Sequence, residues 1–292
     1  MTQLKARGPL AALCLFLCLP TTLRAEPEYL GTFTWPVRVH DAGGFSGLEV
    51  SDDGSRLTVI SDRAMILSAT IQRDGSRITA ITPTPPRGLH DPDDRPLSLE
   101  LSDSEGLAIA PDGTTYVSFE GEHRVWAYAD DGPARPLPPI TGFSAPHPNT
   151  GPEALAIDAR GRLYTLPERS GQLTRAFPVW RFDGTWTQPF AIPRRGGFLP
   201  VGADFGPDGR LYLLERAFNG FAFSSRIRAF TLSDSAILSE DTLVHTRPGQ
   251  LDNLEGLAVW RDDTGAIRLT LISDDNFNAL QSTQVVEFRL SP

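Results

Sequence analysis

Residues 105–120 read EGLAIAPDGTTYVSFE, and this stretch decides the fold. Leu107 and Ile109 form a first short apolar run, Asp112-Gly113 is a hairpin turn signal, and Tyr116, Val117 and Phe119 form a second run that closes on Glu120. Four other stretches share this shape: SGLEVSDDGSRLTVISD at 46–62, EALAIDARGRLYTLPE at 153–168, VGADFGPDGRLYLLE at 201–215 and EGLAVWRDDTGAIRLTLISD at 255–274. Aligned on the small residue before the first run (Gly47, Gly106, Ala154, Gly202, Gly256), the copies lie 59, 48, 48 and 54 residues apart. A strand-pair repeat near 50 residues marks a radial array of small sheets, because one unit cannot bury its own faces.

Further strand-like segments follow most copies, at 65–71 and 77–81, 123–128, 179–182 and 185–192, and 226–232 and 236–245. Four antiparallel strands per unit is the natural count. After the fifth copy only 284–290 remains, so that unit lacks one strand, while 29–39 precedes the first copy and has no partner. Pairing the two closes the ring and leaves no exposed edge between the ends. The expected fold is all-β, a β-propeller of five four-stranded blades, with six possible if the 59-residue interval hides a degenerate unit. The proline-rich stretches 83–96 and 133–152 are expected to be ordered surface loops of this single domain, which spans 26–292.

Residues 1–25 are expected to be a signal peptide: Lys5 and Arg7 precede the apolar run 10–19, and a polar stretch ends at Ala25. Leucines precede Cys14 and Cys18, so neither sits in a lipoprotein box, and the product is expected to be periplasmic or secreted. Both cysteines leave with the signal, so the rest of the chain forms no disulfide. Lys5, Arg7 and Arg24 leave too, and 24 basic residues then face 36 acidic ones, a net charge of −12. Such a surface repels nucleic acid and anionic membranes. The 24 positive charges are all arginines, whose planar fork suits phosphate and carboxylate. The expectation is a monomer meeting a small anionic substrate, without nucleic acid or membrane.

Each hairpin returns to its starting end, so Glu105 and Glu120, Glu153 and Glu168, and Glu255 and Asp274 pair there, with Asp62 and Glu215 at matching places. If the first strand of each unit lines a central channel, these eight carboxylates converge on one mouth. Like charges at that density demand a positive partner. One candidate is Ca²⁺, which takes six to eight oxygen ligands; the other is arginine, since Arg63, Arg169 and Arg216 each follow a ring carboxylate. The bland reading is solvated ion pairs at strand ends. Asn149 near Glu153, Asn253 near Glu255, and Ser273-Asp274-Asp275-Asn276-Phe277 are the densest further oxygen ligands, although Asp275 and Asn276 equally suit a turn. His90-Asp91-Pro92-Asp93-Asp94 is either a rim metal site or a solvated charge cluster. Ser46 lies in Gly44-Phe45-Ser46-Gly47, which has the wrong spacing for a nucleophile elbow, and the five histidines lack zinc spacing.

The segments DSEGLA at 103–108, NTGPEALA at 149–156, DNLEGLA at 252–258 and LISDDNFNALQST at 271–283 resemble the phytase-like family of secreted bacterial proteins, described as having esterase-like activity of phytase. The resemblance implies a propeller and metal-assisted phosphoester hydrolysis, with Glu105, Glu153, Glu255, Asp274 and Asn276 the first positions to test. The chain departs from the pattern at Ala154, where the motif has glycine, and at Ser46 and Val201, where the leading carboxylate is missing. The resulting expectation is a hydrolase in which Ca²⁺ is held by Glu105, Glu153, Glu255 and Asp274, with Asp62, Glu120, Glu168, Glu215 and Asn276 as further ligands. Arg63, Arg169 and Arg216 would stabilise the transferring group. Two rivals stand beside it: a metal-dependent sugar lactonase, which needs no arginine at the mouth, and a non-catalytic propeller that binds a cation or a protein.

Overall fold

The computed structural model describes residues 26–36, 43–141, 151–278 and 281–291. Asn149, His40, His147 and the expected signal at 1–25 lie outside them. Five antiparallel sheets form five blades, and among the described residues the one helical element is a 3₁₀ turn at Leu99–Leu101. Blade 1 runs Phe45–Val50, Arg56–Ser61, Met65–Asp74 and Arg77–Pro83; blade 2 runs Ser104–Ile109, Thr115–Phe119, Arg124–Tyr128 and Arg135–Pro136. Blade 3 runs Pro152–Ile157, Leu163–Pro167, Phe177–Phe182 and Trp186–Ile192; blade 4 runs Leu199–Phe205, Leu211–Phe218, Phe223–Leu232 and Ile237–His245.

Blade 5 combines Leu254–Arg261, Ile267–Ser273 and Gln284–Leu290 with the N-terminal strand Glu28–Thr34. That strand pairs antiparallel with Gln284–Leu290, from Glu28 opposite Arg289 to Thr34 opposite Gln284. The ring is closed as the unpaired segments require. The 59-residue interval holds no sixth blade: its extra length makes the two-residue strand Arg87–Gly88, which pairs with Met65 and Ile66, and the loop leading to the 3₁₀ turn.

The core is divided among the gaps between neighbouring blades. Tyr212 and Leu214 of blade 4 pack with Leu269 and Phe288 of blade 5, while Leu57 and Leu67 of blade 1 pack with Ile272 and Val285 of blade 5. Three further clusters fill the remaining gaps. Burial of each large apolar side chain contributes about 1.5–3 kcal/mol, and it is available only once the next blade is in place.

The first strands of the five blades touch around the axis, which explains the small residue that opens each apolar run. A Cβ on Gly202 would stand 2.4 Å from the Glu255 carbonyl oxygen, one on Gly106 would meet Glu153 and Leu155, and one on Gly256 would meet Leu48. The channel is consequently narrow at mid-height, where Leu48, Leu107, Leu155, Ala203 and Leu257 leave a void of about 10 Å³. That is too little for more than one water molecule, and four leucines thus lie between the two ends of the channel.

Candidate functional site

The mouth is built by one local device repeated five times. Phe45 faces Ser61, Ser104 faces Phe119, Pro152 faces Pro167, Pro200 faces Glu215 and Leu254 faces Ser273, and the register shifts immediately afterwards on the inner strand. Ser46, Glu105, Glu153, Val201 and Glu255 fall inside these β-bulges. A bulge bends its strand and re-aims a side chain, which here is the leading residue of each copy.

One residue beyond the facing position on the second strand comes Asp62, Glu120, Glu168, Arg216 and Asp274 in turn. The Asp62, Glu120 and Asp274 amides donate to the carbonyls of Gly44, Asp103 and Asn253, which fixes three of these ends alike. In blade 4 the slot is therefore filled by Arg216, and the expectation that Glu215 is a mouth ligand is corrected. Glu215 stands one residue earlier and points to the other face of its strand. There it is fully buried and holds Arg226 at 2.7 Å and Arg228 at 2.6 Å. Glu215→Gln leaves two buried guanidiniums short of countercharge and is expected to cost about 3 kcal/mol in denaturant unfolding, without altering metal binding at the mouth.

Arg216 sits between the blades it serves. Its guanidinium donates to Asn253 Oδ1 at 2.7 Å and Glu168 Oε1 at 3.3 Å, and pairs closely with Glu255. Arg169 is 56% exposed and donates to Glu168 Oε2 at 3.1 Å. Arg63 lies over the Phe277 ring, 3.7 Å from its centroid, and borders Asp62. The three arginines thus share the mouth but not a role: one is fixed in its centre and two stand at its rim.

Asp103, which the candidate set omits, joins Glu105 and Glu120 in a group whose oxygens lie within 4.8 Å of one another. Asp103 holds the place in blade 2 that Asn253 holds in blade 5, two residues before the leading glutamate, and that alignment is the sequence signal for it. The expected Asn276 ligand is corrected in part. Its exposed side chain donates to Gln281, whereas its backbone amide donates to Asp274 Oδ1 at 2.6 Å. Asp275 has a turn role, accepting from the Gly44 and Phe277 amides and from Thr283. The His90–Asp94 loop pairs internally, His90 with Asp94 and Arg95 with Asp91 and Asp93. Ser46 donates to the Ser104 carbonyl at 2.6 Å and is buried.

Eight carboxylates therefore face the mouth: Asp62, Asp103, Glu105, Glu120, Glu153, Glu168, Glu255 and Asp274. Burial, followed by Glu153 and Glu255, holds Glu105 well above the usual carboxylate range. Burial and then Glu168 and Glu120 do the same to Glu153. Glu255 is pushed up to about 7 by burial, with Arg216 opposing, and Asp62 to about 7 by burial and Asp274. Burial also raises Asp103, Glu120 and Asp274. Asp62 Oδ1 and Glu120 Oε1 are buried without a hydrogen-bond partner. Such oxygens lack the one thing a cation supplies.

The fold and this mouth define the class, a five-bladed β-propeller with an acidic, oxygen-rich channel entrance. More particularly, the chain belongs to the phytase-like family, described by esterase-like activity of phytase, whose model matches residues 40–277. Comparison with curated proteins finds no match. Among solved structures the chain is similar to PQQ-bound aldose sugar dehydrogenase from Streptomyces coelicolor, at 16% identity over 89% of this chain and 98% of that one with a TM-score of 0.48. It is also similar to a gluconolactonase from Xanthomonas campestris, at 15% identity over 84% and 72% with a TM-score of 0.45. A streptogramin B lyase matches at 12% identity over 91% and 98% with a TM-score of 0.43. Similarity at this level transfers no chemistry.

Proposed function

We propose that this protein is a metal-dependent phosphoester hydrolase that acts outside the cytoplasm on a small anionic substrate. The observation that carries the reading is the Asp103, Glu105 and Glu120 group, with the unpartnered Glu120 Oε1, set in a mouth that also holds a fixed arginine. The donors are carboxylates, with Asn253 alongside. That set fits a hard divalent cation such as Ca²⁺, and its raised pKa values are the cost of holding the carboxylates together without one. Asp103, Glu105 and Glu120 would hold the ion, with Glu153, Asp62, Glu168, Glu255 and Asp274 supplying further negative charge. When bound, the ion supplies Lewis-acid polarisation of a phosphoryl oxygen.

The chain's own groups do the rest. Glu168, Glu255 and Asn253 lock the Arg216 guanidinium in place, so it meets the developing charge on a phosphoryl group without reorganising. Arg63 and Arg169, at the rim, draw an anion toward a mouth that would otherwise repel it. Without metal Asp62 and Glu255 stand at about 7, and a bound cation would shift both toward the ionised form that accepts a proton.

The test is release of phosphate from p-nitrophenyl phosphate and from phytate by the calcium-supplemented protein. Turnover that stops with a chelator and returns with Ca²⁺ is expected. Turnover indifferent to the chelator would overturn the reading. So would hydrolysis of a sugar lactone with no phosphate release, which would instead support lactonase chemistry.

A further inference from the structure

The end of the channel opposite the mouth, on the side of the Asp-Gly turns, opens into a cavity of about 810 Å³. This volume falls within the range of small-molecule sites. The leucine plug at mid-height separates it from the mouth carboxylates. Its inner wall carries Glu49 of blade 1 and Asp204 of blade 4, at equivalent places in their inner strands where blades 2, 3 and 5 have Ala108, Ala156 and Ala258. Two of five units thus carry a carboxylate where the repeat otherwise uses the smallest side chain compatible with a strand.

Each carboxylate is anchored by backbone amides. Glu49 Oε1 accepts from the Ile109 amide at 3.2 Å, and Asp204 Oδ2 accepts from the Val259 amide at 2.6 Å. Among the described residues no arginine or histidine forms an ion pair with either. The two arginines in the cavity wall are committed elsewhere, Arg162 to Asp158 at 2.7 Å and to Asp234 at 2.9 Å, and Arg160 to Asp234 at 3.6 Å. Val50, Ile109, Ile157, Phe205 and Val259 give the cavity an apolar collar. Asp158, Asp234, Ser233 and Asp52, the last adding negative charge beside Glu49, line it as well.

We propose that this cavity binds a small organic ammonium ion, its charged head between Glu49 and Asp204 and its apolar body against the collar. A bare metal ion fits less well. Each carboxylate already spends an oxygen on an amide, Asp158 and Asp234 are paired with arginines, and much of the remaining wall is hydrocarbon where a calcium ion needs six to eight oxygens. The electrostatics agree with a missing cation. Burial and then Asp204 hold Glu49 well above the usual carboxylate range, and burial pushes Asp204 up to about 7. A role limited to capping the two amides would be served equally by neutral side chains, and the test turns on that difference.

The experiment is calorimetric titration of the whole protein with n-butylammonium and with 1,4-diaminobutane, in calcium buffer at about pH 8. Saturable binding is expected. The Glu49→Gln and Asp204→Asn double variant keeps an oxygen for each amide but loses the charge, so affinity is expected to fall at least tenfold while circular dichroism and the mouth's calcium response stay unchanged. Ala159→Trp, a substitution on the exposed cavity wall, is expected to weaken binding without touching either carboxylate, and it serves should the double variant fold poorly. Glu105→Gln is expected to bind the amines normally, which separates this site from the one at the mouth. Absence of saturable amine binding, equal affinity in the double variant and the wild type, or a calcium response that disappears with the double variant would each overturn the proposal.

Discussion

In metal-free buffer the protein is expected to lose stability as the pH rises from about 4.5 to about 7, and Ca²⁺ is expected to reverse the loss. The sign follows from the mouth carboxylates. Asp62 and Glu255 have folded pKa values near 7, above their ordinary values of 3.8 and 4.5. Between those limits the folded chain keeps protons that the unfolded chain has released, so unfolding free energy falls with pH until the folded groups also ionise. Shifts of this kind among the coupled mouth carboxylates amount to a loss on the order of 3 kcal/mol, which in a chain of this size lowers the melting temperature by roughly 10 °C. Carboxylates shifted the other way, such as Asp53 at about 2, add stability that is lost only on acidification below the ordinary carboxylate range. They place the optimum near pH 4–5 rather than cancel the trend. A bound cation favours the ionised forms, so the calcium-induced rise in melting temperature grows across the same window. Thermal melts from pH 4 to 8 at fixed ionic strength, with and without Ca²⁺, give the answer. Metal-free stability that is flat or rising over that range would show that the mouth charges are already balanced.

Arg216→Ala is expected to lower kcat/KM for a phosphomonoester by about 10²–10³, the usual effect of removing one fixed transition-state donor. Arg169→Ala is expected to cost less than tenfold. The two residues differ in how they are held: Arg216 is 21% exposed and engages Glu168, Glu255 and Asn253, whereas Arg169 is 56% exposed and hydrogen-bonds Glu168. A guanidinium whose position is fixed before substrate arrives stabilises charge without an ordering cost, and an exposed one is screened by water. Arg216 also balances Glu168 and Glu255, so the alanine variant should take up protons and melt lower above neutral pH in the absence of metal. Steady-state kinetics on both variants, with circular dichroism to confirm the fold, decide the point. Equal effects at the two positions would move the anion site to the rim.

The blade count, ring closure and shared end of the hairpin carboxylates were legible because a strand repeat leaves few ways to bury its faces. The unpaired segment before the first copy and the missing strand after the last could be matched by counting alone. Blade 4 shows where counting failed. Glu120 and Glu168 each stand seven residues after their turn glycine, Gly113 and Gly161, whereas Glu215 stands six after Gly209 and Arg216 stands seven. A one-residue offset on a strand exchanges faces, so aligning by residue type instead of by distance from the turn puts a buried structural acid in the mouth and makes Arg216 its neighbour, when Arg216 itself fills the slot. The bulges at Glu105, Glu153 and Glu255 left no local signature beyond the small residue that follows each of them. Glu49 and Asp204 were masked by their setting, each reading as the polar member of an alternating strand until the alanines at the same place in three other blades are set beside them.

The central claim is that the mouth carboxylates are assembled to hold a cation, and the most direct measurement is metal content with calcium-dependent melting for the wild type beside Glu105→Gln. The wild type is expected to retain Ca²⁺ after gel filtration and to melt several degrees higher with it. Glu105→Gln should melt at or above the metal-free wild type near neutral pH, because a buried carboxyl that costs protons to keep has been removed, and its calcium affinity should fall at least tenfold. A wild type that binds no metal and melts at the same temperature with and without Ca²⁺ would contradict it.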